Sequence, residues 1–192
     1  AYEYMNRLAA DGSTPGLPLR GPKTGYATAL DSGGGGGVKT VLGPASAAFS
    51  PDGKKLYLTG YLWQFGYPQG TMQGVLEVPF EGGEPRTFAG VMEGGKFGSE
   101  PGQFRVPTDV ACDKEGRVYV ADYMNDRVQV FSPDGSSGGG SASGGKFLKA
   151  IPVNKPAQIR IHHRTQELWV FSYNEIGVSS DVFRAAGLQK LT

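Results

Sequence analysis

An aromatic-rich loop is the segment of this chain whose composition most needs a chemical explanation. The sequence between positions 60 and 74 places aromatic side chains at every second residue, namely Tyr61, Trp63, Phe65 and Tyr67. Loops are normally polar, and aromatic side chains dominate the energetic centres of protein interfaces. The loop is therefore a candidate contact surface for a protein partner, a peptide or a sugar. The alternative is that these rings pack over neighbouring strands or cover a sheet edge.

Metal and acid–base chemistry have few candidate residues. The only two histidines, His162 and His163, are adjacent, and adjacent side chains on a strand point to opposite faces, so we place them in a solvated polar turn. Asp109 and Asp122 remain as candidates for a divalent ion such as Ca²⁺ or Zn²⁺, and Asp109 could line a central axis. A lone carboxylate without a paired base is a poor acid–base catalyst. We therefore assign no catalytic residue and expect no cofactor.

Cysteine content and motifs exclude several other kinds of site. The single cysteine, Cys112, allows no internal disulfide and no cysteine-based zinc site, and its place in an apolar strand indicates packing. A phosphate-binding Gly-x-x-x-x-Gly-Lys-Ser/Thr loop does not occur in the sequence. The sequence thus offers no familiar nucleotide or disulfide chemistry.

Charge and hydropathy restrict the partners. The 192 residues contain 19 Lys and Arg against 18 Asp and Glu, without a basic stripe, so electrostatics favour neither nucleic acid nor an anionic membrane. No apolar run approaches the roughly 20 residues that span a bilayer. The chain starts at Ala1, as a processed mature protein or an excised piece would. We favour an extracellular or periplasmic location.

Repeated strands are the elements that must position these residues. The 31 glycines and 13 prolines suit many short strands joined by tight turns. Three segments share one layout, in which a short apolar strand and a polar turn precede a strand with an aliphatic–aromatic–aliphatic triplet. The triplets are Leu56-Tyr57-Leu58, Val118-Tyr119-Val120 and Leu168-Trp169-Val170. Asp52-Gly53 and Glu115-Gly116 supply the backbone freedom that hairpin turns need.

Two further strands follow each of the first two triplets, and four antiparallel strands make one propeller blade. We therefore predict an all-β fold of four-stranded antiparallel blades in an incomplete ring of about three blades. Closed propellers need roughly four to eight blades, and an open arc leaves edge strands exposed. The chain is then a fragment of a longer protein, a component whose copies complete a ring, or an open stack of sheets.

The flanking and inserted segments differ from the repeats. Residues 1–37 form an N-terminal extension that ends in a Gly-rich linker, 38–178 carry the repeats, and 179–192 form a C-terminal tail. Both ends have weak helical character. A Gly/Ser run at 136–145 has no periodicity and indicates a flexible insert, since removing it restores about a blade's length between repeats. An engineered linker and a natural variable loop both remain open.

The second repeat resembles the NHL-repeat propellers. Pro107-Thr108-Asp109-Val110-Ala111 precedes the second triplet, and the later residues give an Asp-x-x-Asn-x-Arg-hydrophobic pattern at Asp122, Asn125, Arg127 and Val128. The resemblance implies that Asp122 and Asn125 cap the loop between the second and third strands, and that Arg127 pairs with a carboxylate there. A ligand role for Asp122 is the alternative. The family includes binding modules as well as metal-dependent lyases and hydrolytic relatives, so fold alone does not decide activity.

Two function hypotheses follow. The first is a non-catalytic protein-interaction or structural module that presents the aromatic loop and its edge strands to a protein partner or to further copies of itself. The second is a fragment of a metal-dependent propeller lyase or hydrolase, whose other ligands lie on missing blades. The second hypothesis predicts a divalent ion near the central channel, bound by Asp109 or Asp122.

Overall fold

Thirteen strands account for the regular structure that the computed structural model describes. The described residues are 4–5, 10–11, 19–20, 44, 46–60, 72–81, 85–94, 96–133, 144–172 and 187–191. The strands are β1 (Tyr4–Met5), β2 (Leu19–Arg20), β3 (Ser46–Phe49), β4 (Lys55–Thr59), β5 (Met72–Pro79), β6 (Arg86–Gly94), β7 (Pro107–Cys112), β8 (Val118–Asp122), β9 (Arg127–Ser132), β10 (Lys146–Pro152), β11 (Pro156–Ile161), β12 (Leu168–Ser172) and β13 (Gly187–Leu191).

The strands form consecutive antiparallel sheets that correspond to blades. Blade 1 has the strand order β3-β4-β5-β6, blade 2 has the order β7-β8-β9-β10, and blade 3 has the order β11-β12-β13. The short strands β1 and β2 form a separate pair. All pairings are antiparallel between sequence neighbours, as in a propeller. The prediction of an all-β fold with four-stranded blades in an incomplete ring is confirmed.

Burial on both faces explains the apolar triplet of blade 2. Val118 and Val120 of β8 pack in a cluster with Tyr57 and Phe88 of blade 1. Tyr119, between them, points the other way and packs in a second cluster with blade 3. Successive residues of a strand point to opposite faces, so a strand between two neighbours reads as continuously apolar. The two clusters are the cores that hold the three blades together.

Tight turns connect the first two strands of blades 1 and 2. Gly53 and Gly116 have φ angles of 70° and 83° there, which glycine adopts without a steric penalty. In the second turn Asp113 accepts hydrogen bonds from the main-chain N–H groups of Glu115 and Arg117 at 3.1 and 2.8 Å. The turn chemistry thus sets the register of each hairpin.

The expectation of helical character at the two ends is wrong where the structure describes them. Tyr4–Met5 is a strand, and Gly187–Leu191 is a strand that pairs with β12 from Leu168 to Ser172. An unpaired edge of β12 offers a row of main-chain donors and acceptors, and pairing with it outweighs a weak local propensity. Within the described residues the helical content is one 3₁₀ turn at Tyr123–Asn125, and no helix has the length and apolar character to cross a membrane.

Candidate functional site

A buried polar cluster occupies the tip of blade 2, where β8 ends and β9 begins. Asp122 is 0% exposed at its centre. Its Oδ1 accepts a hydrogen bond from Arg105 N at 2.7 Å, and its Oδ2 accepts from Asn125 Nδ2, Arg127 Nε and Gln129 Nε2 at 2.9, 2.8 and 3.0 Å. Burial raises the pKa of Asp122, and the hydrogen bonds from Arg105, Asn125 and Arg127 oppose that rise. The carboxylate is an acceptor that fixes four neighbouring donors.

The same cluster holds the chain segment that enters blade 2, residues 98–105, which we call the strap. Arg127 donates from Nη1 to Ser99 O at 2.7 Å and from Nη2 to Glu100 O and Gln103 O at 3.2 and 2.9 Å. Gln129 donates to Gln103 O at 2.6 Å and accepts from Gly102 N at 2.9 Å. These contacts use only main-chain atoms of the strap, so its backbone is fixed while Ser99, Glu100 and Arg105 stay exposed; Phe104 is buried in the cluster between blades 1 and 2.

The contacts of Asp122, Asn125 and Arg127 with the strap were not predicted from the sequence. These residues were expected around the loop between β8 and β9, and Asn125 does donate to Asp122 there. Asn125 also donates to Gly98 O at 2.8 Å, far along the chain. The strap does not pair with a strand, so its main-chain N–H and C=O groups need hydrogen-bond partners from other parts of the chain. This need is the one signal that could have revealed the contacts.

A strained residue marks the junction between strap and blade. Val106 is buried and has a φ of 60°, which is unusual for a β-branched residue. Its N–H donates to Gln73 Oε1 of β5 at 2.7 Å, and its carbonyl accepts from Tyr123 N at 3.2 Å. Both blades therefore hold the residue in place. The contact also puts the strap beside Gln73, where the aromatic-rich loop re-enters blade 1.

Asp109 links all three blades near the centre of the arc. It is 4% exposed, and its Oδ1 accepts from Ser46 Oγ of blade 1 and from Val110 N at 3.0 Å. Its Oδ2 accepts from Ile159 N and Arg160 Nη1 of blade 3 at 2.7 and 2.6 Å. Asp109 lines an open groove of about 410 Å³ between the first strands of the blades. The carboxylate joins the inner edges of these strands.

Metal ligation has little support in this donor set. No group of three His, Cys, Asp or Glu side chains that could hold an ion occurs in the described ranges. Asp109 and Asp122 each accept four hydrogen bonds, and each contacts an arginine. A carboxylate has about four lone-pair positions, so an ion would have to displace protein donors. Both carboxylates therefore have structural partners in place.

The other candidate residues are dispersed. His162 and His163 lie exposed in the turn between β11 and β12, and His162 Nδ1 is 2.9 Å from Thr165 Oγ1. Cys112 is half-buried beside the groove, and burial, with a smaller contribution from Asp113, raises the pKa of its thiol to about 12. A thiol with that pKa is a poor nucleophile at neutral pH. Tyr61, Trp63, Phe65 and Tyr67 lie outside the residues that the structure describes.

Comparison with known proteins assigns the repeat. The model of the family described as NHL repeat matches residues 104–131, the part of the chain that contains β7 to β9 and the Asp122 cluster. This segment resembles an NHL repeat. Among curated proteins, Protein wech of Drosophila melanogaster is 54% identical over 39 residues, which cover 20% of this chain and 5% of that protein. Human NHL repeat-containing protein 3 is 48% identical over 40 residues, which cover 21% of this chain and 12% of that protein.

The matched segments thus span about a fifth of this chain and no more than 12% of either curated relative. Among solved structures, the calcium-binding protein regucalcin from Agrobacterium tumefaciens aligns with a TM-score of 0.48 and 20% sequence identity. That alignment covers 72% of this chain and 40% of regucalcin.

Proposed function

We propose that this chain is a non-catalytic protein-interaction module built from propeller blades, and that it acts as part of a larger assembly. The observation that carries the proposal is the state of its two buried candidate carboxylates. Asp109 and Asp122 accept hydrogen bonds from main-chain N–H groups and arginines that hold the blades and the strap. Chemistry at either residue would have to break these structural contacts.

The strap supports a recognition role. Phe97, next to it, is a 36% exposed aromatic side chain, and the guanidinium of Arg105 lies 5.9 Å from its ring centroid. Aromatic and arginine side chains are the types enriched at the centres of protein interfaces. Because the Asp122 cluster fixes the strap backbone, these side chains lose less conformational entropy when a partner binds. The strap and the aromatic-rich loop would then form one contact surface.

The far end of the arc supports assembly. Trp169 occupies the same place in its triplet as Tyr57 and Tyr119, which are buried against blades 2 and 3. Trp169 itself is half-buried. The next blade covers the aromatic residue of the triplet in blades 1 and 2. The side chain of Trp169 could be covered in the same way by another blade or by another copy of the chain.

The test replaces two residues of the aromatic-rich loop, Trp63→Ala with Phe65→Ala, and measures absolute mass in solution by light scattering. We expect the unchanged chain to exceed its monomer mass of 20.3 kDa and the variant to fall toward it, because the rings supply the buried apolar contact. Leu148→Ala, which removes an exposed apolar side chain of β10, is the matched control and should leave the mass unchanged.

Metal content read on the same sample tests the enzyme-fragment alternative. A larger species without stoichiometric metal supports the interaction module. A monomer that carries one divalent ion per chain, lost on Asp109→Asn or Asp122→Asn, would contradict the proposal and bring the metal-dependent lyase or hydrolase forward.

A further inference from the structure

The groove between the blades has the dimensions and edges of a small-molecule site. It is lined by residues 46–49, 109–112 and 159–161, from the first strand of each blade, and has a volume of about 410 Å³. Small-molecule sites occupy roughly 300–1,000 Å³. Among the described strands, β3, β7 and β11 each pair on one side only, so their second edges face the groove. The groove therefore presents main-chain polar groups as well as side chains.

Arg160 is the charged group that the groove offers to a ligand. Its side chain is 62% exposed, and both of its contacts use Nη1, with Asp109 Oδ2 and with its neighbour Ile159 O at 2.6 Å each. Nε and Nη2 make no hydrogen bond or ion pair with the part of the chain that the structure describes. These two groups form the planar fork that binds a carboxylate through two parallel hydrogen bonds. Asp109 fixes the guanidinium without using that fork.

Strand register places two alanines at the positions in the other blades that are equivalent to Arg160. Ala48, Ala111 and Arg160 are equivalent, because each lies opposite the aromatic residue of its own blade's triplet. Two of the three blades thus contribute only a methyl group at this level. The small side chains leave room in the groove beside the guanidinium.

The adjacent level is apolar. Phe49, Cys112 and Ile161 lie opposite the first residue of their triplets, and all three line the groove. Phe49 is 54% exposed, and its ring packs edge-on against Phe80 with 5.5 Å between the ring centroids. An aromatic side chain left this accessible gains free energy when an apolar ligand group covers it. The charged level and the apolar level are one residue apart along each strand.

We propose that this groove binds a small monocarboxylate that carries an apolar group. The carboxylate lies on the Nε/Nη2 fork of Arg160, and the apolar group covers Phe49 and Ile161. Asp109 is a positioning residue, since it holds Arg160 and does not touch the ligand. The groove lining includes no residue of the strap, and the proposed binding does not depend on the proposed interaction function.

Titration of the full chain with phenylacetate, followed by amide NMR, tests the site. We expect millimolar binding with shifts at Val110 and Ile159, whose amides lie at the groove. Phenylacetamide, which has the same ring without the charge, should bind about tenfold more weakly, a loss of about 1.4 kcal/mol, because hydrogen bonds between a guanidinium and an ionised carboxylate are stronger than those to a neutral amide. Equal affinity for the two compounds, or no groove shifts with phenylacetate, would overturn the proposal.

Paired arginine variants locate the contact. Arg160→Lys keeps the charge and removes the fork, so phenylacetate affinity should fall about tenfold, whereas Arg164→Lys, in the exposed turn after β11, should leave it unchanged. Thermal unfolding checks that each variant folds. If Arg160→Lys fails to fold, Phe49→Ala removes an exposed ring and should also weaken binding. Unchanged affinity in the folded variant would contradict the assignment.

Discussion

At the scale of the residue, Asp122 accepts hydrogen bonds from four donors in the blade 2 tip, and its carboxylate is the charge that pairs with Arg127 there. Asp122→Ala leaves Arg127 as a largely buried, unpaired cation and should lower the free energy of unfolding by about 3–5 kcal/mol, as measured by urea denaturation. Asp52→Ala removes an exposed turn carboxylate and is the control, with a much smaller expected change. Similar losses for both variants would show that the cluster does not stabilise the fold.

Tyr119 gives the protein a pH dependence at the alkaline end. Burial, followed by a 3.0 Å hydrogen bond from its hydroxyl to Asp113, raises the pKa of Tyr119 from 10.0 to about 12. The folded state therefore holds this proton more tightly than the unfolded chain, and the stabilisation present below pH 10 is lost as pH rises toward 12. Cys112, with a raised pKa of about 12, acts in the same direction.

The Tyr119→Phe variant tests this linkage. Phenylalanine cannot ionise, so the free energy of unfolding should fall less steeply between pH 10 and 12 than in the unchanged protein. Urea unfolding at a series of pH values measures the slope. A slope that the substitution does not change would assign the alkaline loss to other groups.

At the scale of the element, the end of the predicted Gly/Ser insert packs against blade 1. Gly145 N donates to Phe88 O of β6 at 2.9 Å, and Gly144 is buried. A Cβ at Gly145 would come within 2.6 Å of the Phe88 ring, closer than side-chain atoms tolerate. The residues of the insert from Ser136 to Ser143 lie outside the described part of the chain. Gly144 and Gly145 thus join β10 to the outer strand of blade 1.

Gly145→Ala should destabilise the protein by about 1–3 kcal/mol, since Phe88 is fully buried and has little space to move. Gly139→Ala, in the middle of the Gly/Ser run, is the matched control and should have little effect on the denaturation midpoint. If the two substitutions behave alike, the contact with Phe88 does not contribute to blade packing.

At the scale of the whole molecule, Asp109 is the residue that joins the three blades. Asp109→Ala should raise hydrogen exchange at the amide of Ile159 in blade 3, which loses its acceptor, and should raise it less at Val110 in blade 2, whose N–H also donates to Ser46 Oγ at 3.0 Å. Asp122→Ala should instead raise exchange at Arg105, in the strap. Exchange mass spectrometry or NMR distinguishes the patterns. The same pattern from both variants would indicate general unfolding rather than two separate linkages.

The sequence by itself determined the blades. Triplets such as Val118-Tyr119-Val120, hairpin turns at Gly53 and Gly116, and the resemblance to an NHL repeat at 104–131 are read from short stretches of chain. Strand alternation and turn conformation depend on neighbouring residues, so local patterns predict them. The signature residues Asp122 and Arg127 were also identified from the sequence, although the segment that they hold was not.

Only the tertiary structure decided which distant groups meet. Ser46 and Asp109 are 63 positions apart, and Arg127 contacts strap carbonyls that any residue type would supply, so neither contact has a sequence pattern. β13 formed a strand because β12 offered it an unpaired edge. Main-chain hydrogen bonds and edge pairing depend on which groups folding leaves available, and that availability is a property of the assembled blades.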